Sequence, residues 1–134
     1  MQCVLCDTRD ETCLWQGDRC RVILADEPLY AGFCRVIWNE HVAAMTDLAV
    51  ADRAHLMDVV YAVERALRML MKPDRVNLAS LGNYVPHLHW HVIPRFMDDP
   101  TFPDAIWAKS RRKGSFRPPP DQAALQQIMT DFLH

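Results

Sequence analysis

Three histidines stand at alternate positions in His87-Leu88-His89-Trp90-His91, and Val92-Ile93-Pro94-Arg95 follows them. Side chains of an extended strand alternate between faces. His87, His89 and His91 therefore share one face, and Leu88, Trp90 and Val92 the other. The second set is apolar and fits against a helix, which leaves the histidines to face a cleft, a metal or solvent. At about 3.3 Å per residue His87 and His91 lie about 13 Å apart, so one ion cannot take all three imidazoles, although two neighbours can share one with ligands from elsewhere. A polar outward face is the bland alternative, but histidine is scarce and three at strict period two exceed what such a face requires. The remaining chemistry is nucleophilic. A neutral imidazole can attack phosphorus and form a phosphoramidate that water then cleaves, and near pH 7 a useful fraction of histidine is neutral. Neighbouring imidazoles can bind phosphate oxygens and hand a proton to the leaving group. His89, flanked on both sides, is best placed to attack.

These residues need elements to position them. Residues 21–25 read as a short strand broken by Asp26-Glu27-Pro28, and Gly32 introduces a second strand over residues 33–38. After Asp47, Leu56, Val59, Val60, Val63, Ala66, Leu67, Leu70 and Met71 recur at steps of three and four, the mark of an amphipathic helix that Pro73 stops. Residues 75–78 and 86–95 are the next strands, with a turn at Gly82-Asn83. Pro120 suits the first turn of a last helix whose buried stripe is Leu125, Ile128, Met129, Phe132 and Leu133. This order predicts an α+β domain around a mostly antiparallel sheet.

The histidine run resembles the histidine triad (HIT) superfamily, whose pattern is His-x-His-x-His followed by two apolar residues. Gly82-Asn83-Tyr84-Val85 stands where the family commonly has Gly-Gln-Ser/Thr-Val, and residues 32–41 resemble its strand ending in a turn and histidine. The resemblance implies a HIT-like fold of about five strands with one long helix and a C-terminal helix. It also implies one domain over residues 1–134, with a core of about 1–97 and an extension of about 98–134. It makes His89 the nucleophile that is transiently nucleotidylated, His91 the phosphate and leaving-group partner, and His87 the member that orders the site. Asn83 matches a phosphate-contacting glutamine, shorter by one methylene, and Asp26 an acidic residue that binds ribose hydroxyls. Cys3 and Cys6, with His41 and His87, match a structural zinc site of some bacterial relatives, and the chemistry itself requires no cofactor. The implied activity is hydrolysis or transfer at the α-phosphate of a nucleoside 5′-phosphate derivative, with a purine nucleotide as substrate and a homodimer as the assembly. Two departures support a second expectation, a nucleotide-binding or sensing module with little turnover. Phe33 replaces a frequent fourth histidine, and the loop before Gly82 is about a residue short, with Ala79 where glycine is common.

Composition agrees with a small enzyme or ligand binder. The 134 residues carry a net charge of −2, which disfavours a nucleic-acid coat or a polybasic membrane binder. No apolar run spans a bilayer and no signal peptide is visible at the N-terminus, so the expected setting is cytoplasmic. Five cysteines in such a setting favour thiols or metal over disulfides. Cys13, Cys20 and Cys34 are expected to pack as small apolar side chains. His55 is expected to be structural, His134 terminal and mobile, Trp90 core, and Arg111, Arg112, Lys113 and Arg117 a solvated charge run.

Overall fold

A computed structural model describes residues 3–133; the expectation for His134 lies outside the described residues. Five strands, β1 (Thr12–Gln16), β2 (Cys20–Leu24), β3 (Cys34–Trp38), β4 (Arg75–Ala79) and β5 (His89–Arg95), form one sheet in the order β1-β2-β3-β5-β4. All neighbours are antiparallel. The expected α+β architecture is the one observed. β1 has no counterpart in the sequence reading: a bulge between Cys13 and Trp15 interrupts its alternation, so the period-two signal is lost. β5 begins at His89, not at residue 86, because Leu88 spends its backbone outside the ladder. Its N–H donates to the Val42 carbonyl at 2.7 Å and its carbonyl accepts from Trp38 N–H at 3.1 Å.

Helix α1 (Val50–Met71) covers one face of the sheet, burying Leu56, Val59, Val60, Val63, Ala66 and Leu67 as the periodicity requires. Lys72, with φ 51°, closes it in the left-handed region just before Pro73. Val22, Cys34, Val36, Trp38 and Val92 meet it from the sheet. Trp90 is on this face as its parity predicts, although only partly buried, with its indole N–H directed to Met45 Sδ.

Helix α2 (Gln122–Leu133) starts two residues after Pro120. Asp121 caps it, its carboxylate accepting the Ala124 N–H at 2.9 Å. Leu125 and Met129 are buried, whereas Phe132 stays largely exposed beneath the Arg65 guanidinium. Cys20 and Cys34 are buried as expected, and burial pushes both thiols up to about 12, so they are inert. Cys13 is exposed and does not pack, because it sits at the bulge on the edge strand.

Candidate functional site

The sheet face opposite α1 carries the candidate site. Period two on β3 and β5 sends Phe33, Arg35 and Ile37, then His89, His91 and Ile93, to the side opposite α1. Gly32 launches β3 at φ +81°; a Cβ there would run into the Met71 side chain and lie 3.0 Å from Pro94 Cγ. Only glycine suits that junction. A cavity of about 720 Å³ opens over this face, lined by Arg35, Asn83, Val85, His89, His91 and Trp107, among others. Its size is that of a small-molecule site.

The structure divides the histidine triad. His89 Nδ1 lies 2.6 Å from the carbonyl of His87. A carbonyl can only accept, so Nδ1 carries the proton and Nε2 keeps its lone pair on a residue that lines the cavity. His91 packs edge-on to His89 with ring centroids 5.0 Å apart, between the rings of Phe33 at 5.5 Å and Trp107 at 5.3 Å. His91 Nδ1 is buried and makes no hydrogen bond among the described residues. Burial lowers the pKa of His89, and the Arg35 charge adds to the effect. For His91, burial first and then the charges of His89 and Arg35 bring it down to about 4. Both imidazoles are neutral at pH 7.

That shift has a consequence for stability. Unfolded His91 takes up its proton near 6.5, whereas the folded protein resists until about 4. Stability is therefore full above about pH 6.5 and falls as pH drops toward 4, by about 3 kcal/mol for a shift of this size. His91→Gln should flatten this part of the profile in urea unfolding at stepped pH. The same slope in both proteins would show that His91 is not held neutral by the fold.

His87 belongs to a second cluster. It is fully buried, and its Nε2 donates to the Trp38 carbonyl at 2.6 Å, so Nδ1 is the nitrogen with the lone pair. That Nδ1 lies 3.4 Å from Cys3 Sγ, 3.5 Å from Cys6 Sγ and 3.2 Å from His41 Nδ1. All four ligand atoms fall within 4.8 Å of one another. A tetrahedral ion with bonds of 2.0–2.3 Å separates its ligands by roughly 3.3–3.8 Å, so this donor set fits zinc. The cysteines arrive on a 3-10 turn at Val4–Cys6, whose Leu5 packs against Ile23 and Ile37.

Asn83 lines the cavity on the turn that Gly82 opens at φ +72°. Ser80 ties this loop to the start of β5, its hydroxyl donating to the His89 carbonyl at 2.7 Å. Asp26 is exposed, just past β2, and is not among the residues lining the cavity. His55 is partly buried and lines a groove between α1 and α2.

Two further residues, Trp107 and Arg35, line the cavity beside His91. Trp107 borders His91, and Arg35 stands directly opposite it in the β3–β5 register. The signal for Arg35 was a single charge inside an otherwise apolar strand. Trp107 is delivered by the segment after β5, which Arg95 fastens to the sheet. The buried Arg95 guanidinium holds Asp99 through two bonds of 2.7 and 3.0 Å and donates to Asn77 at 2.8 Å. The charge run is solvated as expected at Arg111, Arg112 and Lys113, which are exposed, and three of its arginines also brace this segment. Arg111 pairs with Asp104, Arg112 donates to the carbonyls of Asp99 and Phe102, and Arg117 pairs with Asp98.

An open antiparallel sheet backed by helices, with paired imidazoles in a cavity on its other face, defines an α+β protein of the histidine-cleft type. The chain belongs to the HIT family: the HIT domain matches residues 8–98. It is similar over 93% of its length to 90% of a histidine triad protein from Bradyrhizobium japonicum, at 25% identity and TM-score 0.71. A histidine triad protein from Marinobacter aquaeolei superposes at TM-score 0.74 with 23% identity, over 92% of this chain and 91% of that one. A zinc-bound histidine triad family protein from Mycobacterium smegmatis matches at 25% identity and TM-score 0.64, over 99% and 94% of the two chains. No curated protein matches the sequence significantly. No described helix is long and apolar enough to cross a membrane.

Proposed function

We propose that the protein is a nucleotide hydrolase or transferase acting at the α-phosphate of a nucleoside 5′-phosphate derivative: a dinucleoside polyphosphate, a phosphoramidate or an adenylylated group. The observation that carries this reading is the tautomer of His89, whose Nδ1–H is committed to the His87 carbonyl and whose Nε2 is left free beside the cavity. Nε2 attacks the α-phosphorus, the bond to the leaving group breaks, and the leaving group departs with the electron pair. Nucleotidyl-His89 keeps its Nδ1–H on the carbonyl. Water then attacks phosphorus, the N–P electron pair returns to Nε2, and the surplus proton passes to solvent or to His91. Asn83 contacts phosphate oxygens from the loop, and exposed Trp107 offers a ring for a purine base. Asp26 holds its ribose role in this reading only by its place at the end of β2.

Intact-mass measurement of protein quenched during turnover tests the reading on a panel of adenosine and guanosine polyphosphates and phosphoramidates. A nucleotidyl adduct mapping to His89 is expected. Product formation with the adduct on another residue, or with none under rapid quench, overturns it. A second reading, a binding module with little turnover, draws on Phe33, which packs against His91 where relatives often carry histidine. Saturable nucleotide binding without product would select it.

Zinc held by Cys3, Cys6, His41 and His87 is part of the proposal, with the zinc-bound relative as a precedent. When bound, the ion supplies structural cross-linking, not Lewis-acid chemistry on substrate. Its ligand His87 would fix the carbonyl that orients His89. Protein purified without chelator should carry about one zinc per chain, and a strong chelator should lower Tm by at least about 5 °C. Cys3→Ser with Cys6→Ser should carry almost none. Metal-free wild type that melts at the same temperature with and without zinc would sink the assignment. The reading also includes a homodimer joined along edge strand β4 and α1, which exposes Tyr61 and Met69, and a reducing, cytoplasmic setting suited to five free thiols.

A further inference from the structure

The sheet face opposite α1 bears two buried arginines, Arg21 and Arg95, and each is matched by a carboxylate: Arg21 by Glu11 at 2.8 Å and Arg95 by Asp99 at 2.7 Å. Arg35 lies between them on the same face, and its guanidinium makes no hydrogen bond or ion pair among the described residues. Glu27 lies near enough to be felt electrostatically but forms no ion pair with it. The Arg35 guanidinium lies over the Phe33 ring at 5.1 Å and borders the same cavity as His89, His91 and Asn83. A partly desolvated cation without a counter-charge is costly unless a ligand supplies the anion, and guanidinium pairs bidentately with phosphate. His91 stands directly across the ladder and lines the same cavity, so an anion beside His89 would meet the guanidinium.

Resting on the hydrolase reading above, we propose that Arg35 binds the phosphate next to the scissile bond and so selects phosphoanhydride substrates over phosphoramidates. When His89 Nε2 bonds to the α-phosphorus, the α–β bridging P–O bond breaks and its electron pair stays on the β-phosphate oxygen. That new negative charge meets the guanidinium and needs no proton. A P–N bond differs: its nitrogen must gain a proton to depart as an amine. Arg35 cannot give one up at neutral pH, and neutral His91 is a weak donor. The site thus offers fixed positive charge where an acid would otherwise stand.

The test compares kcat/KM for diadenosine tetraphosphate and adenosine 5′-phosphoramidate in wild type, Arg35→Gln and Arg35→Lys, with thermal melts to check folding. Wild type should prefer the tetraphosphate. Arg35→Gln should lose about 100-fold on it and only a few-fold on the phosphoramidate, and Arg35→Lys, a point charge, should fall between. Equal losses on both substrates, or a wild type faster on the phosphoramidate, overturn the proposal. Binding separates this failure from that of the hydrolase reading. If wild type turns over neither substrate, that reading fails, yet affinity should still rise from AMP to ADP to ATP and be flat in Arg35→Gln. A flat series in wild type removes Arg35 from phosphate binding whatever the variants do.

Discussion

His89→Ala is expected to lose at least about a thousand-fold in kcat while remaining folded, because covalent catalysis has no substitute for its nucleophile. The fold should tolerate the change. His89 borders the cavity, and its side chain's hydrogen bond runs to the carbonyl two residues earlier. The thermal midpoint should therefore move far less than the rate. His91→Ala should be milder in rate, since it leaves Nε2 of His89 in place. The nucleotidyl mass increment should vanish in His89→Ala and persist in His91→Ala. Imidazole added to His89→Gly should restore part of the product release if the lost group is a ring nitrogen. A His89→Ala protein that keeps more than a few per cent of wild-type activity would mean that another residue attacks.

Asp99→Ala should be the most destabilising single change outside the helix core, by about 3–5 kcal/mol in denaturant unfolding, because it strands a buried guanidinium. Arg95 is 2% exposed, and four of its contacts go to Asp99, Asn77 and Thr101. Burial raises the Asp99 pKa, but Arg95 and the N–H groups of Phe102 and Thr101 outweigh it and hold the carboxyl below its usual range. Losing that carboxylate also frees the turn that carries Trp107 to His91, so KM should rise in whatever fraction stays folded. Arg95→Leu combined with Asp99→Leu should recover much of the stability without recovering KM, since the orphaned charge is gone but the clasp is not restored. A loss under 1 kcal/mol for Asp99→Ala would mean that water reaches Arg95 freely.

Much of the fold was legible because its signals are local. The three-and-four spacing from Leu56 to Leu67 can be satisfied by one helix face alone, and Pro73 after Met71 leaves no other place for it to end. Alternation placed Trp90 and Val92 against α1, and His89 and His91 away from it, before any neighbour was known. The candidate zinc-binding set was legible differently, through resemblance, since nothing near Cys3 or Cys6 in the chain announces His41 or His87.

Tertiary structure decided the rest, for reasons that short-range pattern does not contain. β1 was hidden because a bulge erases its period, and β5 starts late because Leu88 finds Val42 and Trp38, partners some 50 residues upstream. Parity puts Arg35 on the histidine face, but only the β3–β5 register sets it opposite His91 and not two residues away. Trp107 reaches His91 because Arg95 and Asp99 fold the intervening segment back over the sheet, and the arginines after it hold it there. The residue types and periodicities of this chain determined that histidines would line the sheet face turned away from a helix. Long-range pairing, whose free energy depends on contacts between distant segments, decided which imidazole lies across from a cation, which faces the cysteines and which keeps its lone pair beside the cavity.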